Sequence, residues 1–420
     1  MANRRARKPR HVPTELVYEF DMFLDEEYQR NPFKRVKDLT EQAPPIFWTP
    51  CNGGHWVTQG FDATFEIGST PKVFSNEVVP HSWMHAIAKI QKFLANIGIK
   101  TPRIPMPFPL LVDPPLHSQY RRPLTSVFSP KNIRQLEEGF RQSAQGLLDT
   151  IADKGQCEFI STVAEPLPVQ LFLQIFGLPL ENLPEYRALL KEHMQGTTEV
   201  TSNLVKLTTL LGIVDVLRDT LIDRKNNPKD DLISKLWQTE INGKPIELHD
   251  IENLAVTLFL GGLDTVVQGI GFGVHHLAID QELQQQLRDN PDRIDDAIDE
   301  ILRRYAIATP PRRALTSTEL HGVNFKKNDV IYMFLHGANL DPTKFENPEK
   351  VDIDRPNKKE HISFNSGPHY CLGAYLAKVE LRILYEELLK KVPTFRIDPS
   401  KPPQFHAGFI VGVDSLNLVW

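Results

Sequence analysis

The hydrophobic pattern in the middle of the chain predicts helices. Apolar residues recur there at intervals of three and four, the spacing of one helix face. These positions are Ile133, Leu136, Phe140, Ala144, Leu147 and Ile151. A longer apolar run covers residues 254–279, and Asp250 ahead of it is a candidate N-cap. Pro291 suits the first turn of a helix, so we predict a further helix from Pro291 to Arg304.

Short segments on either side of this helical middle predict small sheets. Residues 46–48 and 56–58 flank Asn52-Gly53-Gly54, which is typical of a hairpin. Strands are also predicted after Pro310-Pro311, at 314–317, 322–325 and 330–334. A last helix is predicted over 372–392, and residues 409–420 have a strand-like pattern. The pattern as a whole predicts a mainly α fold with small β-sheets.

Composition and charge narrow the class of protein. Of the 420 residues, 41% are hydrophobic and 24% are charged, as in ordinary globular proteins. The net charge of -5 does not favour a nucleic-acid partner. The three cysteines, Cys51, Cys157 and Cys371, cannot all pair with one another. An unpaired thiol fits a reducing compartment, so we predict a cytoplasmic protein with at least one cysteine free for chemistry.

Two segments resemble targeting signals only in part. The start of the chain is basic, but no apolar stretch follows it, so it is not a secretory signal. We expect residues 1–15 to form a disordered basic tail and residues 16–420 to form a single domain. The apolar run 254–279 contains Asp264, and an acid in hydrocarbon is costly. The run therefore predicts a buried helix of a soluble protein, and no membrane is expected.

The segment from Phe364 to Gly373 carries the strongest chemical signal. It reads Phe-Asn-Ser-Gly-Pro-His-Tyr-Cys-Leu-Gly, and Cys371 stands at the start of the predicted last helix. A helix N-terminus stabilises an anion, so it is expected to lower the pKa of the thiol and favour a thiolate. Gly373 leaves room for a flat, bulky group. A thiolate in this setting is a good ligand for haem iron. The alternative is an inert cysteine buried in a turn.

This segment resembles the cysteine signature of the cytochrome P-450 superfamily, F-x-x-G-x-H/R-x-C-x-G, at every defined position. Asn365 departs from the pattern, because many members have glycine there. The resemblance implies the triangular, mainly helical fold of that family, with one catalytic domain over residues 16–420. It also implies haem b between the long central helix and the cysteine loop. Cys371 is then the axial ligand of the iron, and Phe364 and Gly373 contact the haem.

Two further motifs follow the order that the family shows. Glu300 and Arg303 match its E-x-x-R, which implies a buried ion network with residues 352–355. The sequence Gly261-Gly262-Leu263-Asp264-Thr265 resembles its oxygen-activation motif. Gly261 is then expected to thin the central helix beside the haem. Thr265 would hydrogen-bond oxygen or its water, and Asp264 would relay protons inward.

Four basic residues resemble the partners of the haem propionates in this family. His117 and Arg121 match its H-x-x-x-R, and residues four apart share one face of a helix. Arg312 and His369 resemble the other two partners, and arginine is well shaped for carboxylates. The alternative for each of the four is an ordinary solvated charge.

The resemblance is closest to the camphor-hydroxylating bacterial class. That class has a tyrosine ahead of Asp113-Pro114-Pro115, where this chain has residues 105–108 and a longer preceding loop. Camphor is therefore not the expected substrate, and we predict a compact hydrophobic terpenoid or norisoprenoid. By family position the pocket walls are apolar, as in most small-molecule sites, although ordinary core positions are the alternative. These residues are Trp83, Met106, Phe108, Leu258, Leu260, Ala308, Phe409 and Ile410.

The implied reaction inserts one atom of O₂ into a C–H bond and reduces the other to water. Electrons are expected from a separate two-iron, two-sulfur (2Fe–2S) ferredoxin with its reductase. Basic residues expected on the cysteine side are the candidates for its docking: Arg122, Lys358, Lys359 and Lys378. Two alternatives stay open, an H₂O₂-driven peroxygenase and a non-catalytic haem-thiolate sensor or ligand-binding protein. The Asp264-Thr265 pair argues against both.

Overall fold

The computed structural model describes residues 5–78, 96, 105–179, 181, 184, 186, 188 and 203–420, with side chains from residue 210 onward in the last range. Its α-helices are α1 Glu26–Arg30, α2 Pro32–Gln42, α3 Phe61–Ser69, α4 Leu116–Val127, α5 Pro130–Arg134, α6 Glu137–Asp149, α7 Pro166–Phe176, α8 Asn203–Asn226, α9 Leu232–Trp237, α10 Leu248–Gly262, α11 Asp264–Ile279, α12 Gln281–Asp289, α13 Ile294–Arg304, α14 Leu335–Ala338 and α15 Ala374–Lys391. The predicted helical middle is confirmed.

The long apolar run forms α10 and α11, which follow each other end to end. A capping box begins α10, in which Glu247 is the N-cap and Asp250 is the third helical residue. The prediction that Asp250 is the N-cap was therefore wrong. Glu247 takes that position, and the Asp250 side chain accepts a hydrogen bond from the Glu247 N–H at 3.2 Å. Leu263, with φ −100° and ψ −66°, separates the two helices.

The same run, Leu248–Ile279, is long and apolar enough to cross a membrane by length and composition alone. Of its most apolar stretch, 61% is buried inside the protein. Packing against other helices accounts for this apolar character, since the core helix of a large protein is hydrophobic on most sides.

Helix α15 begins close to the position that the sequence predicts and packs along α6. Ion pairs join their polar sides. Arg141 on α6 contacts Glu386 at 2.6 Å and Glu387 at 2.5 Å, and Arg382 on α15 contacts Glu137 at 2.8 Å. The apolar residues predicted over 133–151 are buried or half-buried, but they are divided among α5, α6 and the residues that flank α6.

The strands form small sheets, as predicted. They are β1 Ile46–Thr49, β2 His55–Thr58, β3 Phe74–Ser75, β4 Gln156–Glu158, β5 Glu240–Ile241, β6 Lys244–Pro245, β7 Pro311–Ala314, β8 Thr318–Leu320, β9 Val323–Phe325, β10 Val330–Met333, β11 Arg396–Ile397, β12 Gln404–His406, β13 Gly412–Ser415 and β14 Asn417–Val419. The largest sheet has the order β1-β2-β10-β7-β3. The predicted hairpin is β1–β2, in which Phe47 pairs with Val57.

Buried apolar residues form three clusters around these elements. One surrounds α11 and α15, a second joins α7, α8 and α10, and a third lies against the five-stranded sheet. Helices α10 and α11 thus belong to different clusters, and the break at Leu263 lies between them. The segment from Gly261 to Thr265 therefore lies where the apolar cluster around α10 meets the one around α11.

The basic start of the chain contacts the rest of the protein from residue 5 onward. The N–H of Ala6 donates to the Pro50 carbonyl at 2.8 Å, and His11 lies 3.0 Å from Asp329. Val12 is only 1% exposed. These contacts correct the expectation of a disordered tail for residues 5–15, because burial of Val12 and pairing of His11 hold the segment on the sheet side.

Candidate active site

The loop before α15 positions Cys371. A short 3₁₀ turn, Gly367–His369, precedes the cysteine, and the Cys371 N–H donates to the Phe364 carbonyl at 2.8 Å. Gly367 has φ +66°, and a Cβ there would lie 2.6 Å from Ser69 Cα. Only glycine combines this backbone angle with so close an approach to α3. The loop is therefore fixed by packing as well as by its turn.

Two opposing effects act on the Cys371 thiol. Burial raises its pKa, whereas the backbone N–H groups of Gly373 and Ala374 and the Arg121 guanidinium favour the thiolate. Burial dominates, so the lowered pKa that we expected from the helix N-terminus alone was wrong. A coordinated metal deprotonates a thiol outright, and the three favourable contacts then stabilise the anion.

Cys371 keeps accessible surface. Gly261 and Gly262 of α10 are likewise exposed within an otherwise buried helix, and a Cβ on either would meet no atom within 4 Å. Open space therefore borders both the thiol and the glycine pair.

The four predicted propionate partners come together. The rings of His117 on α4 and His369 in the cysteine loop have centroids 4.4 Å apart. Arg121, also on α4, donates to the Tyr370 carbonyl at 2.6 Å. Arg312 on β7 lies close enough to Asp113 for their charges to interact, and Asp113 lies 3.9 Å from His369. These partners come from a helix, a strand and a loop that are far apart in the sequence.

Several polar atoms of this cluster are buried without a hydrogen-bond partner among the residues that the structure describes. They are both ring nitrogens of His117, Nε2 of His369 and Nη2 of Arg312. Burial lowers the pKa of His117 to about 4 and that of Arg312 to about 10. Unpaired buried polar atoms are costly, and carboxylate oxygens would accept hydrogen bonds from the N–H donors among them. The cluster therefore fits the propionates of a haem.

Asp113 and Asn76 also belong to this cluster, and the sequence reasoning missed them as site residues. Asp113 accepts hydrogen bonds from the Ser75 hydroxyl at 2.5 Å and the Asn76 N–H at 3.0 Å. The Asn76 side chain lies 3.1 Å from Nδ1 of His369. The Asp-Pro-Pro sequence was visible, but nothing in it indicates contact with a histidine so much later in the chain.

The oxygen-activation motif lies at the break between α10 and α11. The Thr265 hydroxyl donates to the Gly261 carbonyl at 2.8 Å, one turn back. Asp264 is 8% exposed, and the Gln268 side-chain amide donates to it at 2.9 Å. Burial raises the pKa of Asp264 to about 6, against the opposing effect of the Gln268 hydrogen bond. Asp264 can thus gain and lose a proton near neutral pH.

The predicted ion network is present under the cysteine loop. Glu300 and Arg303 are completely buried, and Arg303 Nε lies 2.7 Å from Glu300 Oε1. Arg355 Nε lies 2.9 Å from the same oxygen, and the Asp352 N–H donates to Glu300 Oε2 at 2.9 Å. Every oxygen of the buried carboxylate is therefore paired, which is the condition for a stable buried ion group.

Half of the predicted pocket residues gather along α10. Met106 N–H donates to the Asn253 side chain at 2.8 Å, and the Thr257 hydroxyl donates to the Phe108 carbonyl at 2.7 Å. These bonds hold residues 105–108 against α10, and Leu258 and Leu260 belong to the same apolar cluster as Phe108.

Ala308, Phe409 and Ile410, three further predicted pocket residues, lie on other segments of the chain. Ala308 forms an isolated bridge with Ile410, so these two are neighbours. Phe409 packs edge-on against Phe23 and Tyr332, which is a core contact, and its pocket role stays a prediction. Trp83 lies outside the described residues.

Comparisons with known proteins agree with this arrangement. A family model described as Cytochrome P450 matches residues 169–413. Cytochrome P450 109 of Bacillus spizizenii is 32% identical over 400 residues, covering 93% of this chain and 91% of that protein. Cytochrome P450-terp of a Pseudomonas species is 28% identical over 424 residues, covering 97% and 96%. The crystal structure of CYP101J2 has a TM-score of 0.85 and 30% identity, covering 99% of both chains.

The chain belongs to the cytochrome P450 family. The predicted fold class is confirmed, and the chain is a cytochrome P450 monooxygenase. Its cofactor is haem b with a cysteine-ligated iron, and the cluster of unpaired donors described above fits that group. A substrate, O₂ and a redox partner belong to the reaction of this family.

Proposed function

We propose that this P450 hydroxylates a compact hydrophobic terpenoid or norisoprenoid. The observation that carries the proposal is that two polar side chains along α10 hydrogen-bond to the protein backbone. Asn253 and Thr257 both hold the backbone of residues 105–108, so they do not present their bonded groups to a ligand. An unpaired polar group on a buried ligand costs about 1–3 kcal/mol, which favours an apolar substrate. Similarity to a relative named cytochrome P450-terp supports the same class.

In this proposal Cys371 is the iron ligand, and His117, Arg121, Arg312 and His369 hold the propionates. Gly261, Phe364 and Gly373 border the haem faces. Bound haem supplies an iron centre that activates O₂ and transfers one oxygen atom to the substrate. Asp264 holds a proton at its carboxyl group and moves it inward. Thr265 orients its hydroxyl toward the space beside Gly261, whose carbonyl fixes that hydroxyl at 2.8 Å.

The ligand assignment is tested with the reduced, carbon-monoxide-treated holoenzyme. Wild-type protein and a Cys157→Ser control are expected to absorb near the wavelength typical of thiolate-ligated haem. Cys371→His is expected to lose that band, because imidazole donates less electron density than thiolate. Retention of the band in Cys371→His would contradict the assignment.

The substrate class is tested by optical titration with a panel of cyclic terpenes, terpene ethers, norisoprenoids, camphor and aromatic acids. Terpenoids are expected to shift the haem to high spin more strongly than camphor or benzoates. Phe108→Ala should weaken the shift because it removes apolar contact area. Leu110→Ala is the matched control, since Leu110 lies on the same loop but is 46% exposed. A strong shift with a benzoate and none with any terpenoid would refute the substrate class.

We also propose a 2Fe–2S ferredoxin as the electron donor and the cytoplasm as the location. Of the four candidate docking cations, Lys358 lies 3.1 Å from Asp296 and Lys378 lies 2.5 Å from Asp299. Their charges are thus largely compensated within the protein. Lys359 and Arg122 are both exposed, so these two are the better candidates for contact with an acidic partner.

Two alternatives to the monooxygenase were named above, an H₂O₂-driven peroxygenase and a non-catalytic haem-thiolate sensor. The oxidant used and the formation of product distinguish them. A peroxygenase would turn over with H₂O₂ at least as fast as with O₂ and an electron donor. A sensor would bind ligands without forming product. The raised pKa of Asp264 beside Thr265 favours the O₂-dependent monooxygenase, because that reaction needs protons delivered at the site.

A further inference from the structure

A histidine and an aspartate on the β12–β13 hairpin lie beside Asp264. Nδ1 of His406 on β12 is 2.7 Å from Oδ1 of Asp414 on β13. The His406 side chain is 18% exposed and that of Asp414 is 52% exposed, whereas Asp264 is buried. The three groups therefore extend from the interior of the protein to its surface.

Gly412 brings His406 close to the immediate surroundings of Asp264. A Cβ on Gly412 would lie 2.1 Å from Cε1 of His406 and 2.6 Å from Cδ of Gln268. The Gln268 amide donates to Asp264 at 2.9 Å and accepts from the Val413 N–H at 2.8 Å. The imidazole and the amide thus both border the position that a side chain at residue 412 would take. A larger residue at position 412 would separate them.

The charges around His406 favour its protonated form. Asp414 and Asp264 both raise the pKa of the imidazole and outweigh its burial, and the imidazolium in turn favours the carboxylate form of Asp264. Helix α1 also packs against β12, but its charged residues Glu26, Glu27 and Arg30 are exposed.

We propose that His406 and Asp414 form the inlet through which protons from solvent reach Asp264. The proposal rests on the proposed role of Asp264. Both residues act through Asp264, so they are positioning residues rather than catalytic ones.

The proton balance of the inlet is simple. Asp264 releases its proton inward, and the resulting carboxylate takes a proton from the His406 imidazolium. The neutral imidazole then takes a proton from water at Asp414. Only O–H and N–H bonds form and break. In each turnover two protons and two electrons reduce one oxygen atom of O₂ to water while the other atom enters the substrate, and the electrons come from the redox partner.

The first test measures the pKa of His406 directly. Histidines are labelled with carbon-13 and titrated by NMR in the reduced, carbon-monoxide-bound holoenzyme, with His406→Gln used to assign the signal. Removing either carboxylate, in Asp264→Asn or Asp414→Asn, is expected to lower this pKa by about 1 unit. An unchanged pKa in Asp264→Asn would overturn the proposal, because the two groups would then not be coupled.

The second test measures proton delivery during turnover. His406→Gln is expected to reduce product formation by about tenfold and to raise the solvent deuterium isotope effect, since a positioned acid or base contributes about 10²–10⁴-fold and water can replace part of a relay. Asp414→Asn is expected to reduce product formation, whereas Asp414→Glu, which keeps a carboxylate, is expected to retain it. His275→Gln is the control, because His275 lies on α11 and contacts the neighbouring Phe405. A wild-type rate and isotope effect in His406→Gln would refute the inlet.

Comparison with Asp264→Asn separates this proposal from the one on which it rests. If Asp264→Asn slows turnover and His406→Gln does not, the inlet is wrong and the role of Asp264 stands. If neither variant changes turnover, the proposed role of Asp264 fails as well.

Discussion

Asp264 is the residue at which stability and function are most clearly opposed. Its folded-state pKa of about 6 lies above the ordinary value of 3.8, because burial disfavours the carboxylate. The folded protein therefore holds more protons than the unfolded chain between about pH 4 and pH 6, and stability falls as pH rises through that window. A buried acid kept for proton transfer thus costs free energy at neutral pH.

We predict that Asp264→Asn is more stable than wild type at pH 7, by up to about 3 kcal/mol, while turnover slows. Asparagine keeps an oxygen that can accept the Gln268 hydrogen bond but has no charge to bury. The difference in unfolding free energy should shrink toward pH 4, where the folded carboxyl is protonated and the unfolded one is about half protonated. Denaturant unfolding at both pH values measures it. A variant less stable than wild type at pH 7 would contradict the assigned cause of the pKa shift.

Substitution of Thr265 is expected to change the coupling of electron consumption to product formation rather than stability. Thr265→Ala is expected to keep consuming reducing equivalents while releasing more H₂O₂ and less product, because the proton is delivered less accurately without the hydroxyl. Product and peroxide are measured per electron pair consumed. Thr150→Ala is the control, since the Thr150 hydroxyl also donates to a carbonyl about one turn back but is exposed. Unchanged coupling would remove Thr265 from the mechanism.

At the scale of elements, the Glu300 network joins α13 to the segments that lead to the cysteine loop. Two arginines and a backbone N–H converge on one completely buried carboxylate. Arg303 also donates to the carbonyls of Asn339, at 2.9 Å, and Pro348, at 2.8 Å. A helix and a long irregular stretch are therefore held in one arrangement by a single charge cluster.

Glu300→Gln should destabilise the protein by about 3–5 kcal/mol, because it leaves buried guanidinium charges without their counter-ion. Thermal unfolding and loss of haem absorbance both report this change. Glu319→Gln, an exposed position on β8, should shift stability by no more than about 0.5 kcal/mol. Equal stability of the two variants would mean that the network contributes little.

At the scale of the whole molecule, the proposed docking of an electron donor depends on exposed charges on the cysteine side. We predict that electron transfer slows as ionic strength rises, since exposed charges are screened beyond about 8 Å in physiological salt. Lys359→Glu should slow transfer more than Lys401→Glu, a lysine that is also exposed but lies in the turn after β11. Stopped-flow reduction at several salt concentrations measures both effects. Salt-independent transfer would argue against this docking surface.

Most secondary-structure predictions were confirmed because they rest on local spacing. The period of three and four residues predicts α6, and the Asn-Gly-Gly turn predicts the β1–β2 hairpin. Errors occurred where a nearby residue or a tertiary contact overrode the local pattern. Glu247 rather than Asp250 is the N-cap of α10, and contacts of Ala6 and Val12 hold part of the expected tail. The single catalytic domain over residues 16–420 stays a prediction.

The sequence by itself determined the family, because the cysteine segment and the Glu300–Arg303 and Asp264–Thr265 pairs are short-range patterns that chemistry constrains at fixed spacing. Only the tertiary structure decided which groups surround them. Asp113 and Asn76 reach His369, and His406 and Asp414 reach the surroundings of Asp264, through contacts between segments far apart in the chain. The balance of burial against hydrogen bonding at Cys371 and Asp264 was likewise decided there, because desolvation depends on every neighbouring atom and no local pattern records it.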